Sequence, residues 1–185
     1  IKASKNPIII SGGGVFYSDA MEELSKFAIK HNIPVTQTVM GYSTMKRDHS
    51  HYAGQIGALG GKNTNSLAKQ TDLAIAVGTK LADFTTGSWT NFENENFKLV
   101  SINVSRFDAN KHLAQAVVGD ARASLNELSA ALGDWKAPDG WNKKSQIELK
   151  AWNEHVDKEC APTNQEIPSY VQVIGAIYRN SDPTD

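Results

Sequence analysis

Pro7-Ile8-Ile9-Ile10-Ser11-Gly12-Gly13-Gly14-Val15-Phe16-Tyr17 is the stretch on which the fold of this 185-residue chain turns. A short apolar run bounded by proline and glycine is the mark of a strand buried on both faces, the habit of a parallel sheet covered by helices. Three glycines let the backbone turn tightly at the strand's carboxyl end. The helix that follows aims its N–H groups back at that turn. Strand, crest loop and helix together open a doubly wound α/β domain.

Working outward, Ser18 or Asp19 is expected to cap a helix to about Lys30, with Met21, Leu24, Phe27 and Ala28 facing the sheet and Asn32 ending it. Ile33 to Val39 reads as a second strand, and Gly41 to Tyr52 as a long loop. A short helix from Asn63 to Gln70 precedes a strong strand, Leu73 to Val77, closed by Gly78. Leu81 to Glu95 has aromatic residues among small hydroxyl residues and no period, and a loop of that length usually has a role. Trp89 and Phe92 within it are expected to pack against a neighbouring domain or subunit. Phe97 to Val104 and Ala116 to Val118 read as further strands, and Leu125, Leu128 and Leu132 mark the buried stripe of a helix from Ala121 to Leu132. The expectation is a doubly wound parallel six-stranded sheet, Rossmann-like, in the order 3-2-1-4-5-6 from about residue 5 to about 134.

Beyond it, residues 135–165 read as a linker with a charged helix, Lys143 to Glu159, carrying Ile147, Ala151 and Trp152 on one side. Residues 166–185 form a C-terminal helical extension with Tyr170, Val173, Ile174 and Ile177 on an apolar face. The chain opens on Ile1 and closes at Asp185 just after that helix, so it is expected to be a piece of a longer polypeptide.

Composition narrows the function classes. Hydrophobic residues are 40% and charged residues 21%, as in an ordinary globular domain. Net charge is -1 without a basic block, which argues against a nucleic-acid surface. No run is long and apolar enough for a membrane span, and no secretory leader is legible. The single cysteine, Cys160, excludes an internal disulfide and fits a cytoplasmic protein.

No catalytic set emerges. The dinucleotide fingerprint finds Gly12 and Gly14, but Tyr17 stands where its third glycine belongs, and Thr36, Gln37 and Thr38 where a ribose acid would lie. Neither NAD nor tightly bound FAD is therefore expected. Asp48, His49 and His51 share a loop without a third ligand nominated from elsewhere, His31 and His112 included, so no metal is expected. Cys160 has His155 five residues upstream, off the same helical face, and Ser11 lies in Ser-Gly-Gly rather than a nucleophile elbow. In open α/β sheets ligands bind beyond the strand carboxyl ends. Gly12, Gly13, Gly14, Gly78, Thr79, Arg106 and Asp120 would line that edge and are the candidate cofactor-binding residues, with ADP as the candidate occupant.

A strand entering Gly12-Gly13-Gly14, another entering Gly78-Thr79-Lys80-Leu81, the strand LVSINV, and Val118-Gly119-Asp120-Ala121 opening a leucine-rich helix together resemble the middle domain of thiamine-diphosphate-dependent enzymes of the acetolactate synthase type. The resemblance covers about Pro7 to Leu132 and implies a DHS-like NAD/FAD-binding topology. Residues 84–90 and 100–112 look closer to the branch that opens a cyclic 1,2-diketone to 5-deoxy-glucuronate in myo-inositol catabolism. The resemblance implies that thiamine diphosphate and magnesium are held by an N-terminal pyrimidine-binding and a C-terminal pyrophosphate-binding domain, the latter beginning near residue 166. Gly119-Asp120-Ala121 is not the family's Gly-Asp-Gly magnesium motif, and no residue matches a catalytic position. The chain is thus expected to be inactive alone, a scaffold and wall of the substrate pocket, with the whole enzyme a homodimer or homotetramer. A carboligase or decarboxylase middle domain, or a nucleotide-binding module, is the alternative. A sirtuin-like deacylase would need zinc cysteines, and an electron-transfer flavoprotein domain more arginines.

Overall fold

The computed structural model describes residues 1–182. Its six strands are β1 Pro7–Ser11, β2 Val35–Gln37, β3 Tyr52–Gln55, β4 Leu73–Val77, β5 Lys98–Asn103 and β6 Gln115–Val118. They form one parallel, doubly wound sheet in the order β3-β2-β1-β4-β5-β6. The six-stranded architecture is the one expected, but Leu73–Val77, the third strand of the sequence reading, is β4 and pairs with β1, and β3 takes the edge beyond β2. The helices are α1 Gly13–Tyr17, α2 Met21–His31, α3 Lys62–Gln70, α4 Asp83–Thr86, α5 Arg106–Ala109, α6 Ala121–Leu132, α7 Asp139–Glu159 and α8 Tyr170–Asn180.

β1 is the central strand, and all five of its residues are buried. Strands lie on both its edges and helices on both its faces, so both sides of the pleat must be apolar. Ile9, with Ile75, Val77 and Ile102, packs beneath Leu24 and Phe27 of α2 and Leu125 and Leu132 of α6. Ile8 and Ile10 point the other way, with Ala74, Ala76 and Leu99, toward Leu67 and Ala68 of α3, Phe92 and Trp141.

Four local features differ from the sequence reading. The helix after the crest is two helices: α1 closes with the Ser18 amide on the Gly14 carbonyl (3.0 Å), and Asp19 turns the chain at φ 48°. Neither Ser18 nor Asp19 caps α2. Its N-cap is Ala20, fully buried, where a polar side chain would be stranded. β2 is only three residues: the Thr38 amide still donates to the Ser11 carbonyl of β1 (3.0 Å), but its hydroxyl accepts from the Gly41 amide (3.0 Å) and caps a 3₁₀ turn over Val39–Gly41.

The third difference is β3 itself, a four-residue edge strand reading Tyr-Ala-Gly-Gln with Gly54 at φ +99°. It has no apolar run to announce it, and its pairing to β2 shifts register between Val35 and Gln37. Fourth, α7 begins at Asp139 rather than Lys143, and it buries Trp141, Ser145 and Leu149 while Ile147 is exposed. The Trp141 indole N–H donates to the Pro7 carbonyl (2.7 Å), and the Ala137 amide to the His31 carbonyl (2.9 Å).

The connection from β4 to β5 lacks a full helix. An aromatic cluster takes its place: Trp89 lies 5.1 Å from Phe92, and Phe92 stacks on Phe97 at 4.6 Å. Phe92 is buried and Trp89 is packed against the same core. Phe92 is thus spent within its own domain, whereas Trp89 stays half-buried and keeps part of its ring at the surface.

Two compact units divide the chain, Ile1–Leu149 and Lys150–Asp185. In the second, Ser169 and Gln172 make a reciprocal capping box at the start of α8. Gly175 there lies against Cys160, whose carbonyl accepts from the Arg179 guanidinium (2.6 Å). The last three positions of the 166–185 segment lie outside the described residues. No helix of the described residues is long and apolar enough to cross a membrane.

Candidate functional site

The carboxyl edge of the sheet gathers the sequence candidates. Gly12, Gly14, Gly78 and Thr79 are in direct contact. A methyl group on Gly12 would come within 2.4 Å of the Gly78 carbonyl oxygen, and one on Gly14 within 2.6 Å of Gly78 Cα. Gly78 itself turns at φ +61°, a conformation that favours glycine. The Gly12 amide donates to the Val77 carbonyl and the Gly14 amide to the Gly78 carbonyl, each at 2.9 Å. The crest after β1 is therefore zipped to the crest after β4, and two of its three amides point into that seam rather than outward.

The loop after β2 closes the seam from the other side. Gly13 lies under Met40, and a methyl on Gly41 would meet the Ser11 carbonyl at 2.2 Å. Ser11 Oγ and Thr44 Oγ1 lie 2.7 Å apart, the Thr44 hydroxyl donates to the Gly41 carbonyl (2.7 Å), and the Gln37 amide donates to the Met45 carbonyl (2.9 Å). Thr36, Gln37 and Thr38 are all buried and so occupied. The two threonine hydroxyls bond neighbouring backbone: the Thr36 hydroxyl donates to the Ile9 carbonyl (3.0 Å), and the Thr38 hydroxyl accepts from the Gly41 amide.

Arg106 and Asp120 lie farther along the same edge. Arg106 opens α5 and is exposed. Asp120 caps α6: the Ser18 hydroxyl and then the Ala123 amide (3.0 Å) donate to its carboxylate and hold it below the usual range. Asp108, the other acid there, pairs with Lys111 at 2.7 Å. Asn103 was not among the sequence candidates. Its side chain donates to the Thr79 carbonyl (3.0 Å) and accepts from the Ser105 amide (2.9 Å), tying the β5 end to the β4 end. An amide residue closing the strand Lys98–Asn103 was the available signal.

The histidines do not converge. His49 bonds Ser25, His51 bonds Asn32 and Ser50, and His112 bonds the Leu81 carbonyl (3.1 Å) while stacking on Trp89 at 4.1 Å. Among the described residues no three metal-binding side chains come together. Magnesium with a diphosphate asks for carboxylate and carbonyl oxygens in octahedral array. Asp120 and Asp108 are committed to a helix cap and an ion pair, and the crest offers N–H groups, so these residues do not fit that group.

What the edge does present is apolar. The loops that leave β1, β2, β3, β4 and β5 expose, in turn, Tyr17 (83%), Met40 (76%), Leu59, Phe84 and Phe107 (76%). Large apolar side chains repeated along one edge mark a surface that meets other protein or a ligand's hydrocarbon.

Residues 1–128 match the central domain of thiamine pyrophosphate enzymes. The chain is 41% identical over 161 residues to the 3D-(3,5/4)-trihydroxycyclohexane-1,2-dione hydrolase of Geobacillus thermodenitrificans, covering 87% of this chain and 25% of that protein. It is 40% identical over 158 residues to the hydrolase of that name from Clostridium perfringens, covering 85% and 25%. With the second such hydrolase of Bacillus cereus the identity is 44% over 134 residues, covering 70% and 21%. The chain spans about a quarter of the length of these relatives. With its sheet order, its crest glycines and this match in agreement, the chain belongs to the thiamine pyrophosphate enzymes as their central domain, homologous to that of the trihydroxycyclohexanedione hydrolases.

Proposed function

We propose that this chain is the central scaffold domain of a thiamine-diphosphate-dependent hydrolase that opens 3D-trihydroxycyclohexane-1,2-dione to 5-deoxy-glucuronate in cytoplasmic myo-inositol catabolism. The observation that carries the reading is the 41% identity over 87% of the chain to a hydrolase named for that substrate. In this reading thiamine diphosphate with magnesium, held by flanking domains, supplies the carbanion chemistry for carbon–carbon cleavage. This chain supplies none of its ligands. Its part is to hold a rigid carboxyl edge, with the loops at 41–60 and 81–96 as a wall over the substrate. Residues 166–185 begin the pyrophosphate-binding domain, and the exposed apolar face of α8, with Tyr170 at 91% and Ile174 at 62%, belongs to that domain's core. The whole enzyme assembles as a homodimer or homotetramer.

The candidate residues divide by role. Gly12, Gly14, Gly78 and Thr79 are spacers that let two crests touch, Asp120 is a helix cap, and Arg106 is left, with Lys80, as an exposed cation of the edge. The test is titration of this chain with thiamine diphosphate and Mg²⁺ beside the full-length protein, followed by assay of both with the cyclic dione. Cofactor binding and turnover are expected from the full-length protein alone. Cofactor-dependent turnover by the chain itself would overturn the scaffold role, and a full-length protein inert toward the dione would overturn the substrate.

A further inference from the structure

Away from the crest, two histidines close the loop 46–51 onto α2 and the start of β3, and their hydrogen bonds determine where each proton sits. The His51 backbone amide donates to His49 Nδ1 (3.1 Å), so that nitrogen must be bare. His49 Nε2 then carries the hydrogen and donates to the Ser25 hydroxyl (2.9 Å). The Asn32 amide nitrogen donates to the Ala137 carbonyl (3.2 Å) and the Asp139 carboxylate (3.1 Å), which turns its oxygen toward His51. His51 Nε2 donates to that oxygen (3.2 Å), leaving Nδ1 to accept from the Ser50 hydroxyl (3.0 Å). Both rings are neutral in this arrangement, 5.8 Å apart. The same loop feeds the sheet: the Tyr52 amide donates to the His49 carbonyl (2.9 Å) and the Val35 amide to the His51 carbonyl (2.7 Å).

We propose that His49 and His51 form a proton-operated latch, which holds residues 46–51 against α2 and β3 when neutral and releases them when His49 takes a proton on Nδ1. A hydrogen on Nδ1 would face the His51 N–H, donor against donor, and strand that amide. Protonating His51 costs its buried ring solvation and brings a second charge beside the first. The charged groups on the surrounding elements are the Glu22–Lys26 pair on α2, Lys46, Arg47 and Asp48 on the loop, Tyr52 on β3, and Asp139 at the start of α7. Asp48 is the one that draws His49 toward the charged form, and burial outweighs it; His49 and burial both disfavour charge on His51. Release has a consequence at the crest, because Thr44 and Met45, which cover the ends of β1 and β2, lie just before this loop.

Imidazole nitrogen shifts and backbone hydrogen exchange of this chain, recorded from about pH 8 to about pH 5, test the latch. Expected are a His49 bare at Nδ1 at the upper end, and a His51 amide whose protection factor falls at least about tenfold as His49 titrates, while Ile9 and Ile75 in the central strands stay protected. His49→Asn keeps an acceptor where Nδ1 was but does not titrate, and it is expected to hold the His51 amide through the acid range. A His49 protonated at Nδ1 near pH 8, a His51 amide that stays protected after His49 charges, or loss only together with Ile9 and Ile75 would each overturn the proposal. So would a His49→Asn chain that folds and still releases the loop in acid.

Discussion

Gly14 shows how the crest works at the scale of one atom. A Cβ there would press on Gly78 Cα at 2.6 Å and on its carbonyl oxygen at 3.0 Å, backbone atoms that cannot rotate away. Gly14→Ala is therefore expected to cost about 1–3 kcal/mol in urea unfolding, the range for overpacked sites. An unchanged midpoint would mean the crest has slack. Gly140, in the first turn of α7, is the counter-case, with open space where its Cβ would go. Gly140→Ala is expected to stabilise by about 0.4–1 kcal/mol, chiefly by restricting the unfolded chain. His31 is one of three buried or half-buried histidines, with His49 and His51, that weaken the fold in acid. It is fully buried, donates from Nδ1 to the Trp135 carbonyl (2.7 Å), and pairs through Nε2 with the Ser129 hydroxyl (3.1 Å). Burial first, then the Lys30 charge, pull its pKa below the ordinary histidine value, against the Trp135 bond. The unfolded chain thus takes up the proton before the folded one, so this contribution to stability is full above about pH 6.5 and is lost as pH falls below it. A thermal midpoint that drops between about pH 7.5 and about pH 5.5 is expected, and a flat profile would contradict it.

Among the elements, α7 carries the largest departure from expectation. Its Trp141 is 5% exposed and bonded to the Pro7 carbonyl, so the helix begins as a clamp on the amino end of the central strand. Trp141→Ala is expected to cost about 3–5 kcal/mol, and Trp141→Phe, which keeps most of the packing, only about 1–2. The same reasoning sets where the domain can be cut. A chain ending at residue 134 lacks both Trp141 and Leu149, and it is expected to unfold at lower denaturant than one ending at residue 150. Equal midpoints would return α7 to the role of a connecting segment. The β4–β5 connection makes a related point: with only the four-residue α4 there, Trp89, Phe92 and Phe97 join Ala74 and Ala76 of β4 in one apolar cluster.

For the whole molecule, the crests after β1 and β4 touch at the switch point of the sheet, which is where a doubly wound fold ordinarily takes a nucleotide. Calorimetric titration of the chain with ADP is expected to show no saturable heat, since Gly12 and Gly14 already donate their amides to β4 and the Gly78 turn. Saturable binding would require the seam to part, and protection of the Gly14 amide in hydrogen exchange would report it. The apolar rim from Tyr17 to Phe107 is a surface of the kind that meets other protein or a ligand's hydrocarbon.

The sequence by itself determined the sheet. Ile8, Ile9 and Ile10 read as a doubly buried strand, and the strands of 73–77 and 98–103 follow by the same apolar logic, so a parallel doubly wound sheet was legible without coordinates, though not the strand at its edge beyond β2. It also determined that the third glycine of the dinucleotide fingerprint is Tyr17. Tertiary structure alone decided β3, because Tyr52-Ala53-Gly54-Gln55 becomes a strand only when β2 offers it a partner. The same holds for Trp141, whose burial depends on a carbonyl 134 positions earlier in the chain. The use of the crest glycines was decided there too: Gly-Gly-Gly permits a phosphate cradle or a backbone contact with equal ease, and the approach of Gly78 selects the contact. Local pattern fixes what must be buried, whereas the partner that buries it comes from elsewhere in the chain.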